Sequence, residues 1–396
     1  MPHIKVKKFN ILDFIPFEQD GIKFEAIADE VRYHNEYKVV VSANEKRFLL
    51  TIKTITSNDG SKIKLLKYDK ITRINPIDTI KKALDIFAKR FNLEILTSNT
   101  AISSTKVKPE ISYLKELDFF ISSEYQDMIK DKKVVVEVGF GSGKQLLYLA
   151  SKNLDTIYIG LEIHNPSIEQ VLKHIKLNNI KNIYLLNYDA RAFLEVLQSN
   201  TLNGILVHFP VPWDKKPHRR VINQDFIYQS NRTLKKDSKL HLRTDSDNYF
   251  EYSKEEFLKL KICDIQIQKN IANEIVSKYE ARWQRQEKDI YNIFMTALEK
   301  SKDIEIGYKF KFENINFEAI KNLPKKTIKK DDYFIHFEEL YKVNDTYYLQ
   351  KVTFGDFNRP EHQYIILNQN SKYFNFVAPI NANIKAHKEI LKYVCK

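Results

Sequence analysis

Three of the nine glycines in this 396-residue chain fall within five residues, Gly139-Phe140-Gly141-Ser142-Gly143. They directly follow the apolar run Val134-Val135-Val136-Glu137-Val138. A buried strand that ends in a glycine turn and opens a helix brings backbone N–H groups close to a ligand. Residues 144–150 supply that helix, and its N-terminus points at the same spot. The pattern is G-x-G-x-G. It is not the dinucleotide fingerprint G-x-G-x-x-G, because Lys144 stands where the third glycine would be. Nor is it a P-loop, since Gly-Lys-Ser/Thr is missing. Two acids extend the pattern. Residues 156–162 read as a second buried strand ending in Glu162, about twenty residues past the loop, where a carboxylate suits the two ribose hydroxyls of an adenosine cofactor. Residues 182–186 read as a third strand leading to Asp189-Ala190, an acid and a small residue that could face the exocyclic amine of adenine. Taken singly, either acid also reads as a helix cap or a surface acid. Their order and spacing favour the cofactor.

A fourth strand is expected over 204–209, and it runs into Pro210-Val211-Pro212-Trp213-Asp214-Lys215-Lys216-Pro217-His218-Arg219-Arg220. In an open α/β sheet, substrate chemistry sits beyond the carboxyl ends of the strands. Two prolines stiffen this loop, Trp213 offers an aromatic face, and Lys215, Lys216, Arg219 and Arg220 follow at once. That combination suits an RNA base delivered with its phosphates. A fifth strand, 240–245, ends in Thr244-Asp245, and Ser277-Lys278-Tyr279-Glu280-Ala281-Arg282 lies further on.

These segments resemble, in order, the motifs of the bacterial tRNA (guanine-N7-)-methyltransferase family. Phe209-Pro210-Val211-Pro212-Trp213-Asp214-Lys215-Lys216-Pro217-His218-Arg219-Arg220 is similar to its F-P-D-P-W-x-K-x-x-H-x-K-R-R, and residues 137–143 are similar to its E-I-G-F-G-x-G. Leu161-Glu162-Ile163-His164 resembles I-E-V-H, Thr244-Asp245 with Tyr249 resembles T-D-x-x-x-Y, and residues 277–282 resemble T-K-F-E-x-R. The likeness covers roughly residues 134–298. It implies a Rossmann-like class I sheet that uses S-adenosyl-L-methionine to methylate N7 of a variable-loop guanine in tRNA. It also implies roles. Glu137, Gly139, Gly141, Gly143, Glu162 and Asp189 would bind the methyl donor. Asp245, Ser277 and Glu280 would form the guanine and catalytic site. Trp213, Lys215, His218, Arg219, Arg220 and Arg282 would hold the RNA. Two positions depart from the pattern. Ser277 replaces a threonine and keeps the hydroxyl, whereas Val211 replaces an acid that the family pattern makes catalytic, with Asp214 one candidate substitute. That second departure leaves open a non-catalytic tRNA-binding protein that retains the fold, and the added terminal regions leave open a methyltransferase for another RNA.

The elements that must position these residues occupy about half of the chain. Residues 111–302 alternate strand and helix patterns, as a parallel α/β sheet does. Residues 1–97 read as an α+β extension, with a hairpin around residues 43–46 and a helix N-capped by Asp78 with an apolar stripe of Ile80, Leu84, Phe87 and Phe91. Residues 98–110 read as a linker, and 303–396 as a β-rich extension that includes the basic run 324–330. Two cysteines, Cys263 and Cys395, exclude a disulfide framework or a cysteine-rich zinc site, so no metal is expected. The absence of a long apolar run or a secretory leader points to a cytoplasmic protein. A net charge of +13 fits a polyanionic partner, though a chain this rich in Lys and Asn carries such a charge for compositional reasons too.

Overall fold

The structure is a computed structural model that describes residues 1–10, 14–44, 46–102, 107–262, 264–271 and 288–395. It divides into two units: residues 107–307, and a second unit made of 1–106 together with 308–396.

The N-terminal part of the flanking unit holds β1 (His3–Val6), β2 (Phe17–Gln19), β3 (Ile22–Glu30), β4 (Glu36–Ala43), β5 (Lys46–Thr56), β6 (Lys62–Tyr68), α1 (Ile77–Arg90) and β7 (Ile95–Ser98). The expected hairpin is β4–β5, paired antiparallel from Glu36↔Lys53 to Ala43↔Lys46. The α1 stripe is as its period requires: Ile80, Leu84 and Phe87 are buried, and Phe91 packs partly buried on the same core. The cap differs. Pro76 precedes the first turn and Asp78 lies inside it, so Asp78 complements the helix dipole rather than capping the end.

The central unit contains β8 (Leu114–Lys115), α2 (Ser123–Ile129), β9 (Lys133–Val138), α3 (Lys144–Lys152), β10 (Thr156–Leu161), α4 (Asn165–Leu177), β11 (Ile183–Leu186), α5 (Ala190–Val196), β12 (Leu202–His208), α6 (Gln224–Thr233), β13 (Leu234–Thr244), α7 (Asp247–Leu258), β14 (Asp264–Lys269) and β15 (Tyr291–Thr296). Its sheet order is β14-β15-β13-β12-β9-β10-β11-β8. The strands from β13 across to β8 pair in parallel, and β15 pairs antiparallel with both β13 and β14. All six residues of β10 are buried, as befits a strand covered on both faces. The chain steps from β9 to β10 on one side and later returns to β12 on the other. The strand order therefore reverses at β9, and the glycine turn leaves the carboxyl end of that strand. This is the position where open α/β sheets bind their ligands.

The rest of the flanking unit follows: α8 (Phe317–Ile320), β16 (Ile328–Lys329), β17 (Phe334–Asn344), β18 (Tyr347–Gly355), β19 (Glu361–Leu367), β20 (Lys372–Tyr373) and α9 (Asn381–Val394). Read from sequence, the two flanks are separate regions. In the structure they share one 12-stranded sheet, because β17 pairs with β3 through Tyr341↔Glu30 and Lys342↔Asp29. A buried polar cluster accompanies the joint. Lys38 Nζ lies 2.7 Å from Asp69, 2.7 Å from Glu36 and 2.8 Å from Thr51 Oγ1. From the other flank, Tyr364 donates to Asp69 at 2.7 Å and Tyr341 to Glu36 at 2.9 Å. The lysine and its flanking hydroxyls hold the Asp69 carboxyl below its usual range despite burial.

Candidate functional site

The glycine turn is built on left-handed backbone, with φ of +70° at Gly139, +52° at Gly141 and +68° at Gly143. Gly139 N–H donates to Leu161 O of β10 at 2.8 Å, and Gly143 N–H to Phe140 O at 2.8 Å. Gly143 is also the residue at which α3 begins, and a Cβ there would overlap Val171 of α4. This absence of a side chain lets α3 and α4 close over the sheet. Gly143→Ala should therefore destabilise the unit by about 2–4 kcal/mol, from left-handed strain and overpacking together. Urea unfolding would show it, and Val171→Ala in the same chain should restore part of the loss. No recovery would mean that the overlap is not the cause.

Three acids surround the turn, and their surroundings differ. Glu137, one residue before the end of β9, is 4% exposed, and its Oε2 has no hydrogen-bond partner among the described residues. Burial alone pushes its carboxyl up to about 8. Glu162 accepts from the backbone N–H of Gly141 at 3.0 Å, Ile163 at 2.8 Å and His164 at 3.0 Å, clamping the turn to the tip of β10. Asp189 caps α5: it accepts from Arg191 N–H at 2.9 Å and from the Arg191 guanidinium at 3.0 and 2.7 Å. Asp189 thus performs the cap role that its position also allowed.

Beyond β12 the loop is strained at two non-glycine residues, Phe209 (φ +51°) and Trp213 (φ +48°). Phe209 N–H is tied to Arg243 O at 2.7 Å. Lys215, Lys216, His218 and Arg219 are exposed, and the Arg219 guanidinium lies 5.1 Å from the Trp213 ring centre. Arg220 is placed differently from its expected role in holding RNA. It is 7% exposed, donates to Pro212 O at 2.8 Å and to Asp214 at 3.3 Å, and lies 4.4 Å from the Tyr252 ring. Its donors brace the loop from below instead of facing solvent. Asp214, the candidate substitute for the missing acid, is held back by that same guanidinium, while Val211 is 60% exposed. Asp245 follows the last residue of β13, 3.4 Å from Lys288. Ser277, Glu280 and Arg282 lie in 272–287, outside the described residues.

Between the turn and this loop runs a half-buried polar chain that motif reading misses. His208 Nδ1 lies 2.8 Å from Gln145 Oε1, His208 Nε2 3.0 Å from His241 Nδ1, and His241 Nε2 2.9 Å from Asn292 Oδ1. Arg243, 1% exposed, donates to the same Oδ1 at 2.7 Å. Arginine has only donors, so Asn292 Oδ1 must accept. His241 then donates from Nε2 and accepts at Nδ1, and His208 does likewise. Gln145 must turn its NH₂ toward His208. Both imidazoles are held neutral: burial pulls His208 well below its ordinary value and His241 down to about 4. NMR of the ring nitrogens at neutral pH should find the proton on Nε2 in both, and a proton on Nδ1 of either would reverse the chain. The available signal was polar residues on inward positions of apolar strands, Leu206-Val207-His208 and Leu240-His241-Leu242-Arg243.

Comparison with known proteins identifies the family. The family described as "Putative methyltransferase" matches residues 131–293. A tRNA (guanine-N(7)-)-methyltransferase of Wolinella succinogenes is 37% identical over 98% of each chain. One from Campylobacter jejuni is 37% identical over 99% of each, and one from Helicobacter hepaticus 35% over 99% of each. Among solved structures, an antibiotic-related methyltransferase superposes on 43% of this chain and 92% of its own, with 20% identity and a TM-score of 0.34. With near full-length relatives at this identity, and the glycine turn at the switch point of the sheet, the chain belongs to the tRNA (guanine-N(7)-)-methyltransferase family.

Proposed function

We propose that this chain transfers the methyl group of S-adenosyl-L-methionine to N7 of a guanine in the variable loop of tRNA. The near full-length match to relatives named for that reaction carries the reading. The donor fits the site because a buried carboxyl, that of Glu137, whose Oε2 has no partner among the described residues, lies next to a turn of backbone amides. Glu137 would take a cationic or hydrogen-bond-donating group of the donor, and Glu162 its ribose hydroxyls in exchange for loop amides. When bound, the donor supplies an electrophilic sulfonium methyl.

Guanine N7 carries an in-plane lone pair and no proton, so no general base is required. The protein's tasks are alignment and charge stabilisation. Trp213 would offer a face for the base, and the exposed Lys215, His218 and Arg219 would meet phosphates. Asp245, together with Glu280, supplies negative charge toward the ring that becomes cationic. One of these carboxylates accepts from N1–H and N2–H of guanine, a pair of donors that adenine lacks. The exposed Val211 then removes no obligatory proton acceptor.

The deciding experiment is transfer of labelled methyl groups to unmodified tRNA, followed by strand cleavage specific for N7-methylguanosine. Cleavage at one variable-loop guanine is the expected result. Label without cleavage would move the reaction to another atom. Tight tRNA binding without label would make the chain a binding protein only.

A further inference from the structure

Where the two flanks join, the structure opens a cavity of about 390 Å³ that no methyl-transfer role uses. Its lining includes Glu30, the last residue of β3 and the partner of Tyr341 in β17. Glu30 is 6% exposed, and one backbone N–H, that of Asn35, reaches it at 3.4 Å. Burial raises its carboxyl, and the charges acting on it, from Glu36, Glu339 and Asp29, share its own sign. With one long hydrogen bond to it among the described residues, this carboxyl keeps acceptor capacity for the N–H groups of a ligand. The other acids of the wall are already answered, because Lys351 pairs with Glu338 and lies 3.4 Å from Glu339. Tyr33, also in the lining, is 56% exposed, and the Arg32 guanidinium lies 4.6 Å from its ring centre. The lining is also apolar at Leu323 and Pro324 and carries two exposed cations, Lys321, which pairs with the exposed Glu318 at 2.7 Å, and Lys325, the start of a basic stretch running to Lys330.

A carboxyl seeking N–H groups, an exposed aromatic ring and a cationic rim match the three parts of a nucleotide: base edge, base face and phosphate. The volume lies within the range of small-ligand pockets, about 300–1,000 Å³. We propose that this cavity binds one unpaired nucleotide of the RNA substrate, its base stacked on Tyr33 with an N–H edge toward Glu30 and its phosphate toward Lys321 and Lys325. The site belongs to the flanking unit alone and exists because the two ends of the chain share a sheet. It rests on the reading of the substrate as RNA.

The test uses the full chain and a fluorescently labelled, unmodified tRNA transcript, with Kd measured by anisotropy across salt concentrations. Tyr33→Ala should raise Kd about tenfold, the loss of one base–aromatic stack. Lys321→Glu with Lys325→Glu should raise Kd and also flatten the dependence of log Kd on log salt by about 0.7, the share of one phosphate contact. Both changes are on exposed side chains, and thermal melts check that the fold is kept. An unchanged Kd in Tyr33→Ala overturns the proposal, even if the lysine pair matters, because a bare polyanion surface would then suffice. Failure of methyl transfer by the wild-type chain would sink the proposed reaction, whereas the contrast in Kd still decides this site.

Discussion

Glu137→Gln should make the donor-free protein more stable above neutral pH and abolish tight binding of the methyl donor. The sign follows from the raised carboxyl. Its ordinary value is 4.5, and in the folded chain it is pushed up to about 8. Between those values the folded state keeps a proton that the unfolded state gives up, so stability falls as pH rises through the window. The slope from this one group approaches about 1.4 kcal/mol per pH unit at its steepest. Above pH 8 both states are ionised and the loss is complete. Glutamine is neutral throughout and removes the slope. The two histidines act in the opposite sense, because below about 6.5 the unfolded chain takes protons that His208 and His241 refuse. Their effect is common to both proteins and cancels in the difference. Urea unfolding of wild type and Glu137→Gln at pH 5 and pH 8, with donor binding by calorimetry, measures both halves. Equal stability at pH 8 would show that the folded carboxyl is not raised, and retained donor affinity would remove Glu137 from the donor site.

Asp245→Asn should lower kcat by about a hundredfold or more while leaving donor affinity and melting temperature unchanged, as loss of one preorganised electrostatic group does. The argument is one of rigidity. Asp245 stands between Thr244, whose Oγ1 accepts from Ser246 N–H at 3.2 Å, and Ser246, whose hydroxyl caps α7 by accepting from Tyr249 N–H at 3.2 Å. Tyr249 is fully buried, and its hydroxyl accepts from Ile222 N–H at 3.2 Å. The turn that carries the carboxylate is therefore fixed at both ends. Asparagine keeps its shape and removes its charge, which matters to a reaction whose product ring is cationic. Wild-type kcat in this variant would leave the charge stabilisation to another residue.

The glycine turn and the acids beyond the strand tips were legible because their requirements are local. A glycine turn after an apolar strand, and acids at the tips of the next strands, are written in consecutive residues. The loop from Phe209 to Arg220 was legible as a loop, yet its inner order was not. Nothing in the string Lys215-Lys216-Pro217-His218-Arg219-Arg220 says that the last guanidinium turns inward onto Tyr252 and Asp214. That outcome depends on α7, which comes later in the chain. The relay from Gln145 to Arg243 was hidden for the same reason: its members come from α3, β12, β13 and β15 and meet only when the sheet is assembled. The union of the two flanks was the least legible of all. It rests on register between β3 and β17, some three hundred residues apart, and strand patterns specify faces, not partners.

That union has a consequence for the order in which the molecule is made. Glu30 leaves the ribosome early, but its ladder partner Tyr341 emerges only after the whole of residues 107–307 has been synthesised. The central unit is a continuous stretch and can complete its sheet while translation proceeds, whereas the flanking sheet cannot close until the chain is nearly finished. Until then β3 presents an open edge at its carboxyl-terminal end, and Lys38, Asp69 and Glu36 lack the hydroxyls that later come from Tyr341 and Tyr364. The catalytic body is thus complete first, and a chain that stops short of β17 leaves its amino-terminal sheet unfinished.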